Sequence, residues 1–201
     1  MEHIMNETIQ TILSRRSVRS YADRPVPQEL LDEVLTCALY APNGGNHQVI
    51  RLTVCTDPEL LDRIRRLAGV EFRKMPLVEG QYMNVAIRNA TAKKEDYNFT
   101  FRAPVMVIAS GPAGWPNGMA DSALALGTLM IAAKSEGLAS CYVNQLHWLN
   151  DNHPMRTCLA QLGLPREEEI FGTVVLGYSD EPDRPAAPRK PGRVRYLRGE
   201  S

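Results

Sequence analysis

The sequence predicts a single α+β or α/β domain in which helices cover a central sheet. Three observations favour this fold class. The 201 residues are 44% hydrophobic and 23% charged, which is the composition of a globular protein. Segments with helical periodicity alternate with short runs of β-branched residues. Neither an internal repeat nor a shift in composition divides the chain, so residues 1–201 are expected to form one domain.

Six segments have apolar residues at helical spacing. Asn6 precedes the first of them and is suited to cap its N-terminus. The fifth is apolar on nearly every side, which predicts a fully buried helix. The predicted helices are Glu7–Arg16, Gln28–Tyr40, Pro58–Leu67, Tyr82–Lys94, Met119–Ser135 and Pro154–Leu162.

Four runs are rich in β-branched or apolar residues and predict strands. They are His47–Cys55, Pro104–Ser110, Leu138–Val143 and Ile170–Tyr178. The proline-rich segment Asp180–Gly192 is unsuited to a core element, and we expect it to cross an open surface or a partner subunit.

Charge and cysteine usage exclude several classes of protein. Lys plus Arg and Asp plus Glu are both 23, which argues against a nucleic-acid binder, because such proteins carry a basic surplus. The longest uncharged run, Ala103–Ala120, contains three prolines and three glycines, so we interpret it as a strand and a loop rather than a membrane span. The four cysteines include no C-x-x-C pair, and Met1–Thr11 contains no apolar signal-peptide stretch. We therefore expect a cytoplasmic protein with reduced cysteines.

Several catalytic motifs are missing. The chain has no G-x-S-x-G, no G-x-x-x-x-G-K-[ST] and no G-x-G-x-x-G after a strand, which argues against nucleophile-elbow hydrolases, P-loop NTPases and Rossmann dehydrogenases. His147 and His153 are six residues apart, which is not the spacing of a helical zinc site. We expect no bound metal.

Ser14–Ser20 combines three arginines with three serines. Guanidinium groups form paired hydrogen bonds to phosphate, and hydroxyl groups add short donors. Arg15, Arg16, Ser17 and Arg19 are therefore candidate anion ligands. The alternative is that the cations complement the dipole at the end of the first helix.

Two further segments carry amide side chains. Asn46 and Gln48 lie in a glycine-rich turn before a predicted strand, and Asn144 and Gln145 follow another. Amides at such positions can recognise the polar edge of a flat ligand. The alternative is an ordinary turn and a polar surface.

Taken in order, these segments resemble the FMN-dependent nitroreductase family. The matching segments are Arg15–Arg19, Pro25–Pro27, Ala41–Pro42, Asn46–Gln48, Phe101–Val105, Asp121–Ala125, Gly137–Cys141 and Arg189–Pro191. Two features differ from the family pattern: Val49 and Ile50 follow Gln48 where Pro-Trp is usual, and residues 70–98 have no clear match.

The resemblance implies an α+β fold of three layers, with a mainly antiparallel sheet between helices. It also implies a homodimer with FMN in clefts at the interface and with C-terminal extensions that are exchanged between the subunits. By position, Arg15, Arg16 and Ser17 would contact the phosphate and ribityl groups, and Arg19 would lie beside the N1–C2=O edge of the flavin.

The resemblance places the remaining contacts on other segments. Asn46 and Gln48 would reach the cleft from the partner chain. The backbone near Asn144 and Gln145 would face flavin N5. The tail would return to the phosphate through Arg189 and Lys190, with Arg193 as a competing choice.

The implied activity is hydride transfer from NAD(P)H, through flavin N5, to a nitroaromatic, quinone or similar acceptor in a ping-pong reaction. It needs no nucleophilic side chain, because the cofactor carries the chemistry. Two alternatives stay open: specialised flavin chemistry (reductive dehalogenation, azoline dehydrogenation or flavin fragmentation) and a flavin-binding module without catalysis.

Overall fold

A computed structural model describes residues 6–182 and 184–197, in which a four-stranded sheet lies between two layers of helices. The strand order is β1-β2-β4-β3, and each pair is antiparallel. The strands are β1 (Arg51–Cys55), β2 (Val105–Pro112), β3 (Ala139–Val143) and β4 (Glu168–Gly177). The helices are α1 (Glu7–Ser14), α2 (Gln28–Leu39), α3 (Pro58–Lys74), α4 (Asn84–Lys93), α5 (Gly118–Ser135) and α6 (His153–Leu159). The expected α+β architecture is confirmed.

Each face of the sheet has its own hydrophobic core, because successive strand residues point to opposite faces. On one face Met106 and Val175 pack with residues of α3, α4 and α6. On the other, Val107 and Val174 pack with residues of α2 and α5. Both central strands are buried on both faces, which explains why their sequences are almost continuously apolar.

Polar residues fix the helix ends. The Asn6 side chain accepts a hydrogen bond from the N–H of Thr8 at 2.9 Å, which confirms the predicted cap of α1. Gly137, just after α5, has a φ of 73° and turns the chain into β3.

Two predicted boundaries are wrong for a physical reason. The structure ends α1 at Ser14, because Arg15 is extended (φ −57°, ψ 132°), so Arg15 and Arg16 lie beyond the helix. It begins β1 at Arg51 rather than His47, because Asn46 and Gln48 have φ values of 56° and 52° that no strand allows.

Helix α3 is longer than predicted and continues to Lys74. Its buried stripe runs on through Ala68 and Phe72 and enters residues 70–98, which have no clear match to the family.

Within a single chain α5 is not fully buried, contrary to the prediction. Leu126 and Leu129 are buried against the sheet and α2, but Met119 and Leu124 are each 47% exposed. The helix therefore presents a second apolar face, which includes Met119 and Leu124 and which the described part of the chain leaves exposed. We call it the outer face of α5.

After β4 the described chain, through residue 197, forms no regular element. Val194 and Tyr196 expose 70% and 77% of their surface. No helix within the described ranges combines the length and apolarity needed to cross a bilayer.

Candidate functional site

The segment after α1 runs along the outer edge of β3. The backbone N–H of Val18 donates to the Ser140 carbonyl at 3.1 Å, and Ser17 and Ser140 form a parallel bridge. This pairing draws the chain out of the helix and holds Arg15–Arg19, the basic segment, at the start of β3.

Arg15 has an unsatisfied donor. The residue is half-buried, and its Nη1 atom is fully buried without a hydrogen-bond acceptor in the described residues. Buried charged donors are almost always paired, because leaving one unpaired is costly. The Arg15 guanidinium therefore carries a donor that the described residues leave unsatisfied.

Arg16 is held differently. Its guanidinium donates to the carbonyls of Leu13 and Arg15 at 2.7 Å each and to the Arg184 carbonyl at 3.1 Å. It thus complements the last carbonyls of α1, as the helix-end interpretation expects, and also ties the tail to the basic segment.

Arg19 and Ser17 face the thiol of Cys141 on β3. Burial raises the pKa of Cys141, while the Arg19 charge, the Ser17 hydroxyl and the Arg15 charge act in the opposite direction. The Arg19 guanidinium also lies 5.8 Å from the centre of the Phe101 ring. Cys141 is not among the site residues predicted from the sequence, because only the pairing of the basic segment with β3 brings it close to Ser17 and Arg19.

Two small pockets flank the basic segment. One, of about 80 Å³, is lined by Arg15, Arg16 and residues 137–140. The other, of about 100 Å³, is lined by residues 16–19, Glu181 and Arg184. Ligand sites are usually roughly 300–1,000 Å³, so neither pocket has the volume of a complete ligand site in this chain.

The far end of β3 carries Asn144 and Gln145. Asn144 Oδ1 and Gln145 Oε1 are fully buried and lack a hydrogen-bond partner within the described chain. The backbone N–H of Gln145 likewise donates to no group there. A free backbone donor therefore lies at the opposite end of the strand that begins beside Arg15–Arg19.

Asn46 and Gln48 lie in an exposed turn before β1. Gln48 donates from Nε2 to Asn46 Oδ1 at 3.1 Å, and its backbone N–H donates to Asn43 Oδ1 at 3.0 Å. The N–H of Gly44 donates to Asp121 at the start of α5 at 2.9 Å. The turn is therefore well fixed although it is exposed.

The predicted ligands fall into two groups within one chain. The basic segment lies beside the start of β3 and Gln145 follows its end, whereas Asn46 and Gln48 precede β1. These strands form opposite edges of the sheet. Three strand spacings of roughly 4.8 Å separate the edges by about 14 Å. A single chain does not bring the two groups together.

The tail candidates are not brought to the basic segment either. Arg189, Lys190 and Arg193 are exposed, and within residues 6–182 and 184–197 they make no hydrogen bond or ion pair with residues 15–19. Their role stays a prediction.

The histidine pair has a structural contact. His147 Nδ1 lies 2.7 Å from the Ile170 carbonyl. Among the residues that the structure describes, no group of three or more His, Cys, Asp or Glu side chains could hold a metal ion.

Comparison with known proteins gives a family match over most of the chain. The model of the "Nitroreductase family" matches residues 12–178. The chain is 31% identical over 141 residues to "FMN reductase [NAD(P)H]" of Bacillus subtilis, covering 68% of this chain and 53% of that protein. The chain thus spans about half the length of this relative.

Two further proteins are similar over nearly their full length. The chain is 30% identical to "NADH dehydrogenase" of Thermus thermophilus, with 87% of each chain covered. The crystal structure of a nitroreductase with bound FMN from Bacteroides fragilis superposes with a TM-score of 0.85 at 27% identity, covering 96% of this chain and 100% of that one.

Proposed function

Because this chain belongs to the nitroreductase family, we propose that it is an NAD(P)H-dependent FMN oxidoreductase whose electron acceptor is a nitroaromatic, a quinone or a similar small molecule. Two named relatives support the choice of cofactors: the Bacillus subtilis protein is an FMN reductase that uses NAD(P)H, and the Bacteroides fragilis protein holds FMN.

The unpaired Nη1 of Arg15 is the observation that carries the proposal. FMN ends in a phosphate, and after a small rotation of the Arg15 guanidinium a phosphate oxygen would supply the acceptor that this buried donor lacks. The Ser17 hydroxyl and Arg16 line the same region, and the cations of the tail, Arg189 and Lys190, would add charge from outside.

Two other groups fit the flavin ring. Bound FMN would supply the redox chemistry, taking a hydride from NAD(P)H and delivering it to the acceptor. The Arg19 cation would stabilise negative charge at the N1–C2=O edge. The free N–H of Gln145, in the segment of Asn144, would orient the ring at N5.

The site would be completed by a second copy of the chain. Asn46 and Gln48 lie on the opposite edge of the sheet from Arg15, so they would reach the flavin of the partner in a two-fold dimer. The outer face of α5 supports this arrangement, because a partner chain would remove the exposed apolar side chains of Met119 and Leu124 from water. The irregular tail, with Val194 exposed, would embrace the partner.

We also propose a cytoplasmic location, for which the cysteines give support. Cys37, Cys55, Cys141 and Cys158 are all free, and this supports a reducing cytoplasm as the site of action.

The purified protein tests the proposal directly. We expect a yellow protein that oxidises NADH or NADPH when a nitrobenzene derivative or a quinone is added. A flavin that dithionite reduces but neither nicotinamide reduces would contradict the proposed reaction and favour a different flavin chemistry.

A further inference from the structure

Tyr97 is fixed in the core between α3 and β3. It is 5% exposed, and its ring meets the Phe72 ring edge-on at 6.3 Å. Gly69 leaves room for it, since a Cβ there would lie 3.2 Å from the Tyr97 ring. Arg65 Nη1 donates to the Tyr97 carbonyl at 3.1 Å. Both the ring and the backbone of Tyr97 are therefore held in place.

The same packing brings Tyr97 to the segment after β3. Phe72 also meets Trp148 edge-on at 6.4 Å, and Tyr97 shares one core with Val143 and Leu146. Gln145 lies between these two residues in the sequence. Its side chain is the polar group beside the Tyr97 hydroxyl. Burial raises the pKa of Tyr97 to about 12 even though the Gln145 side chain acts to lower it.

The hydroxyl and the amide are complementary but unsatisfied. Tyr97 Oη and Gln145 Oε1 are both fully buried, and neither makes a hydrogen bond of good geometry within the described chain. With its pKa raised, the Tyr97 hydroxyl keeps its proton at neutral pH and can donate, while Gln145 Oε1 can only accept. A small movement of the Gln145 side chain would satisfy both atoms.

We propose that Tyr97 is a positioning residue for the flavin site: its hydroxyl donates to Gln145 Oε1 in the cofactor-bound protein and so holds the backbone N–H of Gln145 toward the flavin. This inference rests on the proposed function. It assigns a role to a side chain in residues 70–98, the part of the sequence that matched the family least.

Tyr97→Phe tests the role of the hydroxyl, because it removes one oxygen and leaves the ring. Full-length protein stripped of flavin is titrated with FMN, and binding is followed by the quenching of FMN fluorescence. We expect the Kd to rise about fivefold to tenfold, as loss of one hydrogen bond implies. The midpoint potential of the bound flavin should also move. Tyr142→Phe is the matched control, since it removes the half-buried hydroxyl that donates to the Phe171 carbonyl and should leave both values unchanged.

A double-mutant cycle separates positioning from general packing. Gln145→Met keeps the length of the side chain and removes the acceptor, so it should raise the Kd by the same factor. In the Gln145→Met background, Tyr97→Phe should raise the Kd no further. If Tyr97→Phe failed to fold, Gln145→Met alone would carry the test.

The outcomes distinguish failure of the proposed function from failure of the positioning role of Tyr97. Wild-type protein that takes up no FMN would overturn the proposed function together with this inference. Wild-type protein that binds FMN, with Tyr97→Phe or Gln145→Met binding it equally well, would overturn the positioning role alone. Additive losses in the double variant would do the same.

Discussion

The carboxylate of Asp121 accepts a hydrogen bond from the backbone N–H of Gly44 at 2.9 Å. Its other oxygen accepts from the Trp115 indole at 3.2 Å, and the residue is only 5% exposed. The turn that carries Asn46 and Gln48 is therefore fastened to the first turn of α5. The two features that we assign to a subunit interface, the amide turn and the outer face of α5, form one unit.

Asp121→Ala should loosen this unit. It leaves the Gly44 N–H and the Trp115 indole without acceptors, which should lower the free energy of unfolding by about 1–3 kcal/mol. Affinity for FMN should fall as well, since Asn46 and Gln48 lose their support. Urea unfolding and FMN titration measure the two effects. Asp151→Ala, at an exposed position, is the control. If both variants had the same stability and the same affinity for FMN, Asp121 would not support the turn of Asn46 and Gln48.

Arg15→Met should separate cofactor binding from stability. Loss of a charge-assisted hydrogen bond of about 1.5–3 kcal/mol should weaken FMN binding roughly 10- to 150-fold. The flavin-free protein should be as stable as wild type or more stable, because its unpaired buried donor is removed. Arg63→Met, whose arginine bonds Gln161 on the surface, should change neither quantity. Flavin content unaffected by Arg15→Met would show that Arg15 does not bind the cofactor.

Leu124→Glu should break the dimer. A charge on the outer face of α5 would have to be buried without a partner if that face is covered. We expect a monomer by sedimentation and loss of bound FMN, because each site needs both chains. The exposed Gln161→Glu adds the same charge in the other helical layer and should keep the wild-type state. An intact dimer that retains its flavin after Leu124→Glu would contradict the proposed interface.

Glu71 should make stability depend on pH. Burial acts to raise its pKa, but hydrogen bonds from Lys74 (2.5 Å) and Asn152 (2.9 Å) outweigh it, so the pKa is lowered in the folded chain. The contribution is therefore complete above the ordinary pKa of the unfolded carboxyl, about 4.3, and lost as the pH falls through the lower folded pKa. The stability difference between wild type and Glu71→Gln should be large at pH 7 and shrink below about pH 4. A difference independent of pH would show that ionised Glu71 adds nothing.

Local signals predicted most of the fold. The Asn6 cap, the helical spacing of α2 and the β-branched run of β1 are readable because neighbouring residues decide them. The end of α1 could not be predicted in this way. Arg15 and Arg16 are good helix formers, and only the pairing of Val18 with β3 draws the chain out of the helix.

The site divides in the same way. The residue types of Arg15–Arg19 indicate an anion site. That Arg16 instead donates to carbonyls at the end of α1 depends on its side-chain conformation, which the sequence does not reveal. Cys141 and Tyr97 reach the site only through long-range packing, which no periodicity reveals. The apolar outer face of α5 was visible as hydrophobicity, but its exposure in one chain was not.

Whether this chain binds FMN through Arg15 can be measured by titrating the flavin-stripped protein with FMN. We expect tight binding that saturates at one FMN per chain in wild-type protein and is strongly weakened in Arg15→Met. Wild-type protein that stays colourless and leaves added FMN free in solution would contradict it.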